Sequence, residues 1–422
     1  MNQAYPREPK HLEKGGHHEH IRSFSALSIY PPVLFAHRKR PVGSLISVSH
    51  SDVSQQAGSL PCTCHKKWTY LLKNSSQTAE LLHTLGLSEG RHLVFETESR
   101  ADTQLLARVI ILHGNHAEVA LVVDEKIVLE NANLSHHLPH TPAAGDWVLV
   151  TQENKTTTIV NVAHRYTELA RPSADGLSRQ ALASNIDTVL LVVSVEKPPS
   201  LKAIEKLMIM GWDSGATPVL VLSKIDACEN LAKEMSRIEN VSVGVETICC
   251  SVKTGEGLAE ISQLVSQGTT TMLGASGAGK TSLLNALEGT DAATFEVRRD
   301  GQGRHTTTTR KLYMLSGGGV MLDVPGIRSL TVDVSNSAVE ETFADISALA
   351  NHCRFSDCQH DGDFGCAVEA AIDAGELPAR RLESWQDVQR ELAYQRRKNN
   401  PREMAEQRKQ WKQQTKNFRK KS

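Results

Sequence analysis

The sequence predicts a multi-domain protein, with a small β-barrel followed by a central α/β domain and a C-terminal helical domain that binds a metal. Three observations predict this order. Short β-rich stretches cluster between residues 90 and 165, strands alternate with helices from about 180 to 332, and a Cys/His cluster with helical segments occupies 336–397. A chain of 422 residues is long enough for two or three such domains.

The composition is that of an ordinary globular protein. Apolar residues make up 40% of the sequence, charged residues make up 23%, and the formal net charge is −1. No stretch approaches the roughly 18–20 apolar residues of a membrane span, and no basic segment followed by an apolar core opens the chain. We therefore expect no membrane association and a cytoplasmic location.

The two ends of the chain differ from its body. Residues 1–66 are rich in His, Ser, Pro and Gly without a helical or strand period, so we expect a disordered extension. Its groups His17-His18-Glu19-His20 and Cys62-Thr63-Cys64-His65 are each too short to close a four-ligand metal site. From Arg396 to Lys421 eleven Lys and Arg residues stand against two acids, and this basic tail, 398–422, suggests a polyanionic partner.

Short β-rich stretches alternate with turns between His92 and His164, which suits a closed barrel of about five strands. The stretches are 93–95, 107–111, 117–123, 126–129, 147–150 and 157–160. An OB-fold is the first interpretation, and such barrels commonly bind oligonucleotides. The pattern alone does not separate this fold from an SH3-like barrel, or an RNA-binding surface from a packing module.

A polar segment, 171–185, is interpreted as a linker, and after it the pattern becomes that of a doubly wound α/β domain. Continuous apolar stretches at 188–195 and 218–222 are typical of strands buried in a parallel sheet, and helices are predicted at about 201–212 and 257–265. Such sheets bind ligands at the carboxyl ends of their strands, where the next motifs lie.

The strongest motif is a G-x-x-x-x-G-K-[ST] loop between a predicted strand, 269–273, and a predicted helix, 282–287. In such a loop backbone N–H groups face the phosphates, the lysine (Lys280) reaches the β- and γ-phosphates, and the next hydroxyl (Thr281) binds Mg²⁺. The loop residues assigned to the nucleotide are Gly274, Ala275, Ser276, Gly277, Ala278, Gly279, Lys280, Thr281 and Ser282.

Two further segments indicate which base is bound. In Ser223-Lys224-Ile225-Asp226 the Asp226 carboxylate can accept hydrogen bonds from both the N1–H and the N2 amino group of guanine, a donor pair that adenine lacks. Ser251-Val252-Lys253 closes the next predicted strand and can offer a backbone N–H to guanine O6. An Asn usually precedes K-x-D, so Ser223 predicts retained guanine preference with looser affinity.

Beyond the phosphate loop, two segments resemble the switches of nucleotide hydrolases. In Gly303-Arg304-His305-Thr306-Thr307-Thr308-Thr309 a threonine, Thr307 or Thr308, is available for the Mg²⁺ shell. In Asp323-Val324-Pro325-Gly326 the carboxylate of Asp323 is placed to hold a metal-bound water, and the Gly326 N–H to contact the γ-phosphate. The predicted Mg²⁺ group comprises Thr281, Thr307, Thr308 and Asp323.

The order of these motifs is unusual. Ras-like domains run from the phosphate loop through both switches to K-x-D and S-A-K, whereas this chain places K-x-D and S-V-K first. The sequence therefore predicts a circularly permuted Ras-like P-loop domain, an arrangement that is tolerated because domain termini often lie close together. The second switch then leads directly into the C-terminal domain.

The C-terminal domain contains the pattern C-x₄-C-x-H-x₅-C, formed by Cys353, Cys358, His360 and Cys366. Three thiolates and one imidazole make a closed tetrahedral set, which is typical of a structural Zn²⁺ site. Such binding supplies on the order of 10 kcal/mol to the folding of a small domain. Helices predicted at 367–374 and 377–397 complete this domain.

Together, the permuted order, the G-R-H-T-T-T and D-x-P-G segments and the Cys/His spacing resemble the RsgA family, also called YjeQ, from about residue 90 onward. The resemblance implies a GTPase that binds GTP and GDP with Mg²⁺. It implies that the barrel and the zinc domain dock on the 30S ribosomal subunit and its 16S rRNA during late maturation, and that the ribosome stimulates hydrolysis. We expect a monomer.

The resemblance also bears on the attacking water. Ras-like enzymes orient this water with a Gln after D-x-x-G, but Ile327 stands there and cannot form a side-chain hydrogen bond. A switch histidine takes this catalytic role in the family, and His305 is the matching residue. We expect slow intrinsic turnover that rises when the ribosome orders the loop.

Two other functions stay open at this point. An ATP-dependent P-loop enzyme would share the phosphate loop, and nucleotide competition separates the two because Asp226 should reject ATP. An RNA-binding assembly or translation factor with vestigial hydrolysis would keep its cellular role in a Lys280→Ala variant. The presence of Lys280, Thr281 and Asp323 argues against such decay.

Overall fold

The computed structural model describes residues 68–70, 76–95, 103–172, 179–288, 311–323 and 334–399. The predicted disordered extension, the first switch segment, the second switch segment after Asp323 and the tail from residue 400 lie outside the described residues. None of the helices in the described part of the chain is both long enough and apolar enough to cross a membrane.

The predicted barrel is confirmed as a closed five-stranded structure. Its strands are β3 (Gln104–His113), β4 (His116–Val123), β5 (Lys126–Leu134), β6 (Trp147–Glu153) and β7 (Thr156–Val162). They close in the order β3-β4-β5-β7-β6, with β5 and β7 parallel and the other pairs antiparallel. Bulges between Val109 and Ile111 and between Leu149 and Val150 shift the register, and such shifts help a sheet to curve.

The predicted strand at 93–95 forms but lies outside the barrel. It is β2 (Leu93–Phe95), and it pairs antiparallel with β1 (Trp68–Tyr70). Between them, α1 (Ser76–Thr84) leads into a turn with buried leucines. Leu82, Leu85 and Leu87 belong to a core that continues into the barrel and the α/β domain, so this segment packs between them.

The predicted linker at 171–185 is wrong. β8 (Glu168–Pro172) and β9 (Arg179–Ser184) form an antiparallel hairpin with a register shift between Leu169 and Ala170. Leu169 and Leu182 are buried in the main core, while Arg171 donates to Gln180 Oε1 on the exposed side. The hairpin was hidden in the sequence because its few apolar residues are separated by polar ones.

The α/β domain is a six-stranded sheet with helices on it. Its elements are β10 (Thr188–Ser194), α2 (Leu201–Asp213), β11 (Thr217–Ser223), a 3₁₀ turn (Ile225–Ala227), α3 (Leu231–Glu239), β12 (Glu246–Cys250), α4 (Leu258–Val265), β13 (Thr269–Leu273), α5 (Lys280–Glu288), β14 (Lys311–Met314) and β15 (Val320–Asp323). The strand order is β12-β11-β10-β13-β15-β14. All neighbours are parallel except β14 with β15. The central strand β10 is apolar from Val189 to Val193 because both faces of the sheet are buried, and its neighbour β13 buries three threonines beside Met272 and Leu273.

The C-terminal region is helical, as predicted. It comprises α6 (Asn336–Thr342), α7 (Ala344–Ala350), α8 (Ala367–Asp373) and α9 (Ala379–Asn399). Ser335 caps α6 by accepting a hydrogen bond from the Ala338 N–H. The core of this region includes Phe343, Val368 and Leu392, and it reaches Ile209 on α2 of the α/β domain.

Candidate nucleotide site and metal centre

The predicted nucleotide residues meet at one edge of the sheet. The ends of β10, β11 and β12 are in register, with Ser194 opposite Ser223 and Ser223 opposite Cys250. The strand order reverses between β10 and β13, and ligands of open α/β sheets bind at such a reversal, at the carboxyl ends of the strands. The phosphate loop follows β13 and therefore lies at that point.

Backbone geometry requires glycine in the phosphate loop. Gly274 has φ +151°, and a Cβ there would lie only 2.2 Å from the carbonyl oxygen of Val192. Gly277 and Gly279 have φ values of +81° and +94°, which side-chain-bearing residues rarely adopt. Of the loop residues, Ala278 is buried, whereas Ala275, Ser276, Thr281 and Ser282 are exposed toward the ligand side or solvent.

Lys280 lies over the phosphate loop. Its Nζ donates hydrogen bonds to the carbonyl oxygens of Gly274 at 2.7 Å and Ala275 at 2.9 Å. Burial lowers the pKa of this ammonium group, and the negative charge of Asp323 opposes that shift. An ammonium group held in this way can turn to an incoming phosphate, because its present partners are neutral carbonyls.

Asp323 ends β15 beside the phosphate-loop strand. Thr271 on β13 donates its hydroxyl to Leu322 O at 2.8 Å, which fixes the end of β15 against β13. Burial raises the pKa of the Asp323 carboxyl, while the charge of Lys280 lowers it. Of the predicted Mg²⁺ group, Thr281 and Asp323 have described positions, whereas Thr307 and Thr308 lie outside the described residues. His305 and Gly326 also lie outside them.

Ser223 connects the base-binding segment to the phosphate loop. Its buried hydroxyl donates a hydrogen bond to Ala278 O at 2.6 Å. The sequence predicts fewer hydrogen bonds for Ser than for the usual Asn, and the structure shows that the bond to the phosphate loop is retained. One short side chain therefore joins the K-x-D segment directly to the phosphate loop.

The next residues form a tight turn after β11. Lys224 has φ +59°, a left-handed conformation that is uncommon for a residue other than glycine, and Ile225 is the buried first residue of the 3₁₀ turn that follows. The Lys224 Nζ forms an ion pair of 2.8 Å with Glu196 Oε2, just after β10. This pairing was not predicted, because Glu196 belongs to no motif and meets Lys224 only once the strands are adjacent.

Asp226 is held as a carboxylate. Ser251 donates its hydroxyl to Asp226 Oδ1 at 2.6 Å, and Lys253 Nζ lies 3.7 Å from Oδ2. The hydrogen bond from Ser251 is the main reason that the pKa of Asp226 lies below its ordinary value, with Lys253 contributing less. An ionised carboxylate is what acceptance of two guanine donors requires. Val252, next in the chain, is partly exposed at the end of β12, where a base could reach its N–H.

The predicted metal ligands come together. One ligand atom from each of Cys353, Cys358, His360 and Cys366 lies within 4.8 Å of all the others. His360 Nδ1 lies 3.7 Å from Cys353 Sγ and 3.3 Å from the Sγ atoms of Cys358 and Cys366. Zn–S bonds of about 2.3 Å and Zn–N bonds of about 2.1 Å in a tetrahedron place sulfur and nitrogen about 3.6 Å apart. The donor set and its spacing therefore fit a four-coordinate metal.

Groups around the ligands complete this centre. The backbone N–H of Ala367 points to Cys353 Sγ and that of Glu369 to Cys366 Sγ, both at 3.4 Å, as is suited to thiolate ligands. The Asp363 carboxylate accepts a 2.8 Å hydrogen bond from Gln359 N and lies 3.4 Å from Cys358 Sγ. Sequence reasoning did not assign Asp363, although its place between His and the last Cys was a usable signal.

Comparison with known proteins agrees with this site. The family model described as RsgA GTPase matches residues 162–333. The chain is 38% identical over 304 residues to the protein named small ribosomal subunit biogenesis GTPase RsgA 2 of Lactiplantibacillus plantarum, covering 70% of this chain and 86% of that protein. It is 41% identical over 284 residues to the protein of Streptomyces coelicolor named small ribosomal subunit biogenesis GTPase RsgA, covering 65% of this chain and 78% of that protein.

Solved structures show the same fold. The crystal structure of YjeQ from Thermotoga maritima superimposes with a TM-score of 0.55 at 27% identity, covering 69% of this chain and 99% of that one. The structure titled YloQ, a circularly permuted GTPase, gives a TM-score of 0.53 at 23% identity, covering 70% of this chain and 98% of that one. The family model matches the chain, and the relative from Lactiplantibacillus plantarum is 38% identical to it over 86% of that relative's length. The chain therefore belongs to the RsgA GTPase family.

Proposed function

We propose that this protein hydrolyses GTP to GDP and phosphate on the 30S ribosomal subunit and acts in the late maturation of that subunit. The observation that carries the proposal is the joined nucleotide site, in which Ser223 ties the base segment to the phosphate loop and Ser251 holds Asp226 as a carboxylate. The names of relatives that share 34–41% identity with this chain support the ribosomal role.

The residues divide into three roles. The guanine base is bound by Asp226 and by the backbone of the Ser251-Val252 turn, with Lys224 and Ile225 shaping the pocket. The phosphates are bound by the loop 274–282, with Lys280 at the β- and γ-phosphates. The Mg²⁺ that accompanies GTP supplies charge neutralisation at the β- and γ-phosphates, and Thr281, Asp323 and Thr307 or Thr308 are the residues for its shell.

His305 is proposed to orient the attacking water. Ile327 stands at the place of the usual Gln and offers no hydrogen-bonding group. A histidine in the first switch, brought near the γ-phosphate, can accept a hydrogen bond from the water and turn it toward phosphorus. Gly326 N–H is proposed as a γ-phosphate contact, and we expect the ribosome to order both switches.

The metal centre is proposed to hold one structural Zn²⁺. Three thiolates and an imidazole leave no open position, so the ion stabilises the fold and takes no part in hydrolysis. Cys353, Cys358, His360 and Cys366 are its ligands. We also propose that the closed five-stranded barrel is an OB-fold and contacts 16S rRNA, and its strand order β3-β4-β5-β7-β6 supports this.

The charged residues of the barrel do not favour rRNA binding by electrostatic attraction alone. Arg108 is buried, which leaves two exposed lysines, Lys126 and Lys155, for phosphate contacts. These lysines are outnumbered by the acidic residues Glu118, Asp124, Glu125, Glu130 and Glu153. An rRNA contact on the barrel therefore depends on hydrogen bonds and shape more than on counterion release.

The central test is hydrolysis of GTP by the full chain, alone and with 30S, 50S or 70S particles at physiological salt. We expect a large rise that is selective for 30S particles and that His305→Ala abolishes while GTP affinity is retained. Wild-type turnover that no particle raises would contradict the ribosomal part of the proposal. A rise that persists in His305→Ala would contradict only the assignment of the water.

Base recognition has its own test. Asp226→Asn should move preference from guanine toward xanthine nucleotides, because the amide nitrogen donates a hydrogen bond at a position where the carboxylate oxygen accepts one. Lys253→Ala is the matched control, since it removes a charge beside Asp226 and leaves the carboxylate itself. Nucleotide competition measures both variants, and unchanged selectivity for GTP in Asp226→Asn would sink the assignment.

A further inference from the structure

Three exposed side chains stand together on the metal centre. Phe364 is 75% exposed, which makes it the most exposed large apolar residue of the described part of the chain, and Phe355 is 48% exposed. Between them lies Arg354, whose guanidinium carbon is 5.1 Å from the ring centroid of Phe364 and 5.6 Å from that of Phe355. We call these three residues the Arg354 cluster.

The metal loops hold this cluster in place. Arg354 and Phe355 directly follow the ligand Cys353, and Phe364 lies two residues before the ligand Cys366. The Arg354 N–H donates to Gly365 O at 3.1 Å and joins the two loops. Gly365 has φ +77°, and a Cβ there would lie 3.0 Å from Arg354 Cβ, so glycine is needed for this close approach. The cluster is therefore preformed.

Packing does not account for the cluster. The apolar core of the C-terminal region contains Phe343 and partly buried Cys353 and Cys358, but neither Phe355 nor Phe364. Among the described residues, no carboxylate lies within ion-pair distance of the Arg354 guanidinium, as it does for the buried Arg381. Two phenylalanine rings and an unpaired guanidinium thus face outward, at a cost in exposed apolar surface.

We propose that the Arg354 cluster is a stacking platform for an unpaired base of RNA, a proposal that rests on the proposed ribosomal function. Unstacked bases bind to aromatic rings and to the guanidinium plane of arginine, and arginine also pairs with the adjoining phosphate. This chemistry uses all three side chains at once. A duplex offers no free base face, so the partner is a single-stranded loop, bulge or splayed base.

The surrounding charge defines the contact further. Asp357 and Asp361 are exposed on the same loops and repel phosphates on their side. Stacking therefore contributes more than charge, and the part of the affinity that depends on this cluster has a weak salt dependence. A purely electrostatic site would show the opposite.

The test measures binding of the full-length protein, loaded with a GTP analogue that is not hydrolysed, to purified 30S subunits. Phe364→Ala and Phe364→Leu should each weaken binding about 5- to 150-fold, the range expected for loss of one base–aromatic stack, whereas Phe364→Tyr should keep it. Leu retains the apolar contact without the π face, so a Leu variant that binds like wild type would overturn the stacking claim. Tyr394→Ala, which removes an exposed aromatic residue from α9, is the matched control and should bind normally.

Two readouts keep the outcomes distinct. Zinc content and GTP hydrolysis without ribosomes should be unchanged in every Phe364 variant, which shows that the metal centre has folded. Ultraviolet cross-linking to 30S particles, followed by mass spectrometry, should attach a nucleotide to the peptide that carries Phe355 or Phe364. Attachment of a ribosomal-protein peptide there would overturn the RNA assignment. Failure of the wild-type protein to bind 30S would instead contradict the proposed function.

Discussion

The α/β domain meets its two neighbours through two buried arginines, and the two joints satisfy these charges in different ways. Arg108 lies on β3 of the barrel, and Arg381 lies in the first turn of α9. Both side chains are almost completely buried. Their direct partners differ: Arg108 donates hydrogen bonds to neutral oxygen atoms, whereas Arg381 forms ion pairs with two carboxylates.

Arg108 gathers four segments of chain at the barrel joint. It donates to Thr269 Oγ1 at 2.7 Å, to Gly145 O at 3.3 Å and to Asn185 O at 3.4 Å, and it also donates to Leu85 O. Its guanidinium carbon lies 4.8 Å from the Trp147 ring centroid. Burial lowers the pKa of Arg108 below its ordinary value, and the nearby Tyr166, Asp187 and Asp146 oppose that shift without cancelling it.

Arg381 makes the C-terminal joint from charges. It donates to Glu205 Oε1 on α2 at 2.7 Å and to Asp345 Oδ1 on α7 at 2.6 Å, and Arg380 also binds Glu205 at 2.8 Å. Burial alone would lower the pKa of Arg381, but the hydrogen bonds and charges of Asp345 and Glu205 outweigh it and the pKa lies above its ordinary value. Around this group, the ion pairs Lys202–Asp387 and Lys206–Glu391 link α2 to α9.

The comparison separates an apolar joint from an ionic one. One continuous core includes Trp147 and Leu149 of the barrel with Val189 and Leu322 of the sheet. At the other joint the C-terminal core contains two apolar residues of α2, the buried Ile209 and the partly buried Trp212, and ion pairs lie around this smaller apolar contact. Apolar burial is insensitive to salt, while ionic contacts weaken with salt and leave costly unpaired charges when one partner is lost.

Removal of the metal should cause the largest loss of stability, and this loss should be confined to the C-terminal region and its joint with the α/β domain. A strong chelator, or Cys353→Ser, should unfold the C-terminal region, because structural zinc supplies on the order of 10 kcal/mol. Hydrogen exchange should show α8 and α9 losing protection while the barrel keeps it. Cys228→Ser, a cysteine outside the metal centre, is the control. Unchanged protection of α9 after metal removal would contradict the prediction.

Arg381→Met should destabilise the C-terminal joint by about 3–5 kcal/mol, because it leaves the buried Glu205 without its buried partner and the partly exposed Asp345 without the guanidinium it pairs with. Local hydrogen exchange in α2 and α9 measures the loss. Arg380→Met is the matched control, since this arginine is more exposed and its loss leaves Arg381 on Glu205. The double variant Glu205→Leu with Arg381→Met should recover part of the stability. Equal losses in both arginine variants would contradict the special position of Arg381.

Arg108→Met should destabilise the barrel joint by about 2–4 kcal/mol, because several buried oxygen atoms lose their donor while the apolar core remains. Protection should fall in β3 and β13 and stay unchanged in α9. Arg108→Lys, which keeps a charge but reaches fewer acceptors, should give an intermediate loss. A variant that loses protection first in the C-terminal helices would show that the two joints are not independent.

Lys206→Gln should have the smallest effect, below about 1 kcal/mol, because its pair with Glu391 is partly exposed to solvent. The effect should disappear at high salt, while that of Arg108→Met should not. Thermal unfolding at low and high salt measures both. A loss that persists in salt would mean that this pair is part of the buried joint.

The features that could be predicted from the sequence are those formed by residues close together in the chain. The phosphate loop, the K-x-D segment and the metal ligands are short motifs whose chemistry is written within a few positions, and the described parts of all three lie together as expected. The roles of these residues stay predictions, as do those of His305, Thr307, Thr308 and Gly326, whose positions lie outside the described residues. The barrel followed from repeated β-rich stretches, although Leu93–Phe95 was placed in it wrongly.

What escaped prediction depends on residues far apart in the chain. The hydroxyl of Ser223 meets Ala278 only because β11 and the phosphate loop lie on either side of β10. From the sequence, Arg108 is expected to be an exposed residue of a barrel strand. In the structure it is buried by the segments after α1 and β9 and by β13, to which it donates hydrogen bonds. The β8–β9 hairpin has too weak an alternation to be distinguished from a polar linker, and its pairing is set by the core beneath it.

The permuted order of strands has a consequence for how the protein reaches its fold. The two central strands, β10 and β13, are neighbours in the sheet, with Thr188 beside Thr270, but they lie far apart in the sequence because β11 and β12 come between them. Contacts between distant segments form slowly, and parallel pairing makes them slower. β10, β11 and β12 can assemble as soon as they are synthesised, whereas the phosphate loop waits for β13 to insert beside β10. The half that carries the K-x-D and S-V-K segments is therefore expected to form before the half that carries the phosphate loop. A ligand that needs both halves can stabilise the folding chain only in the final step.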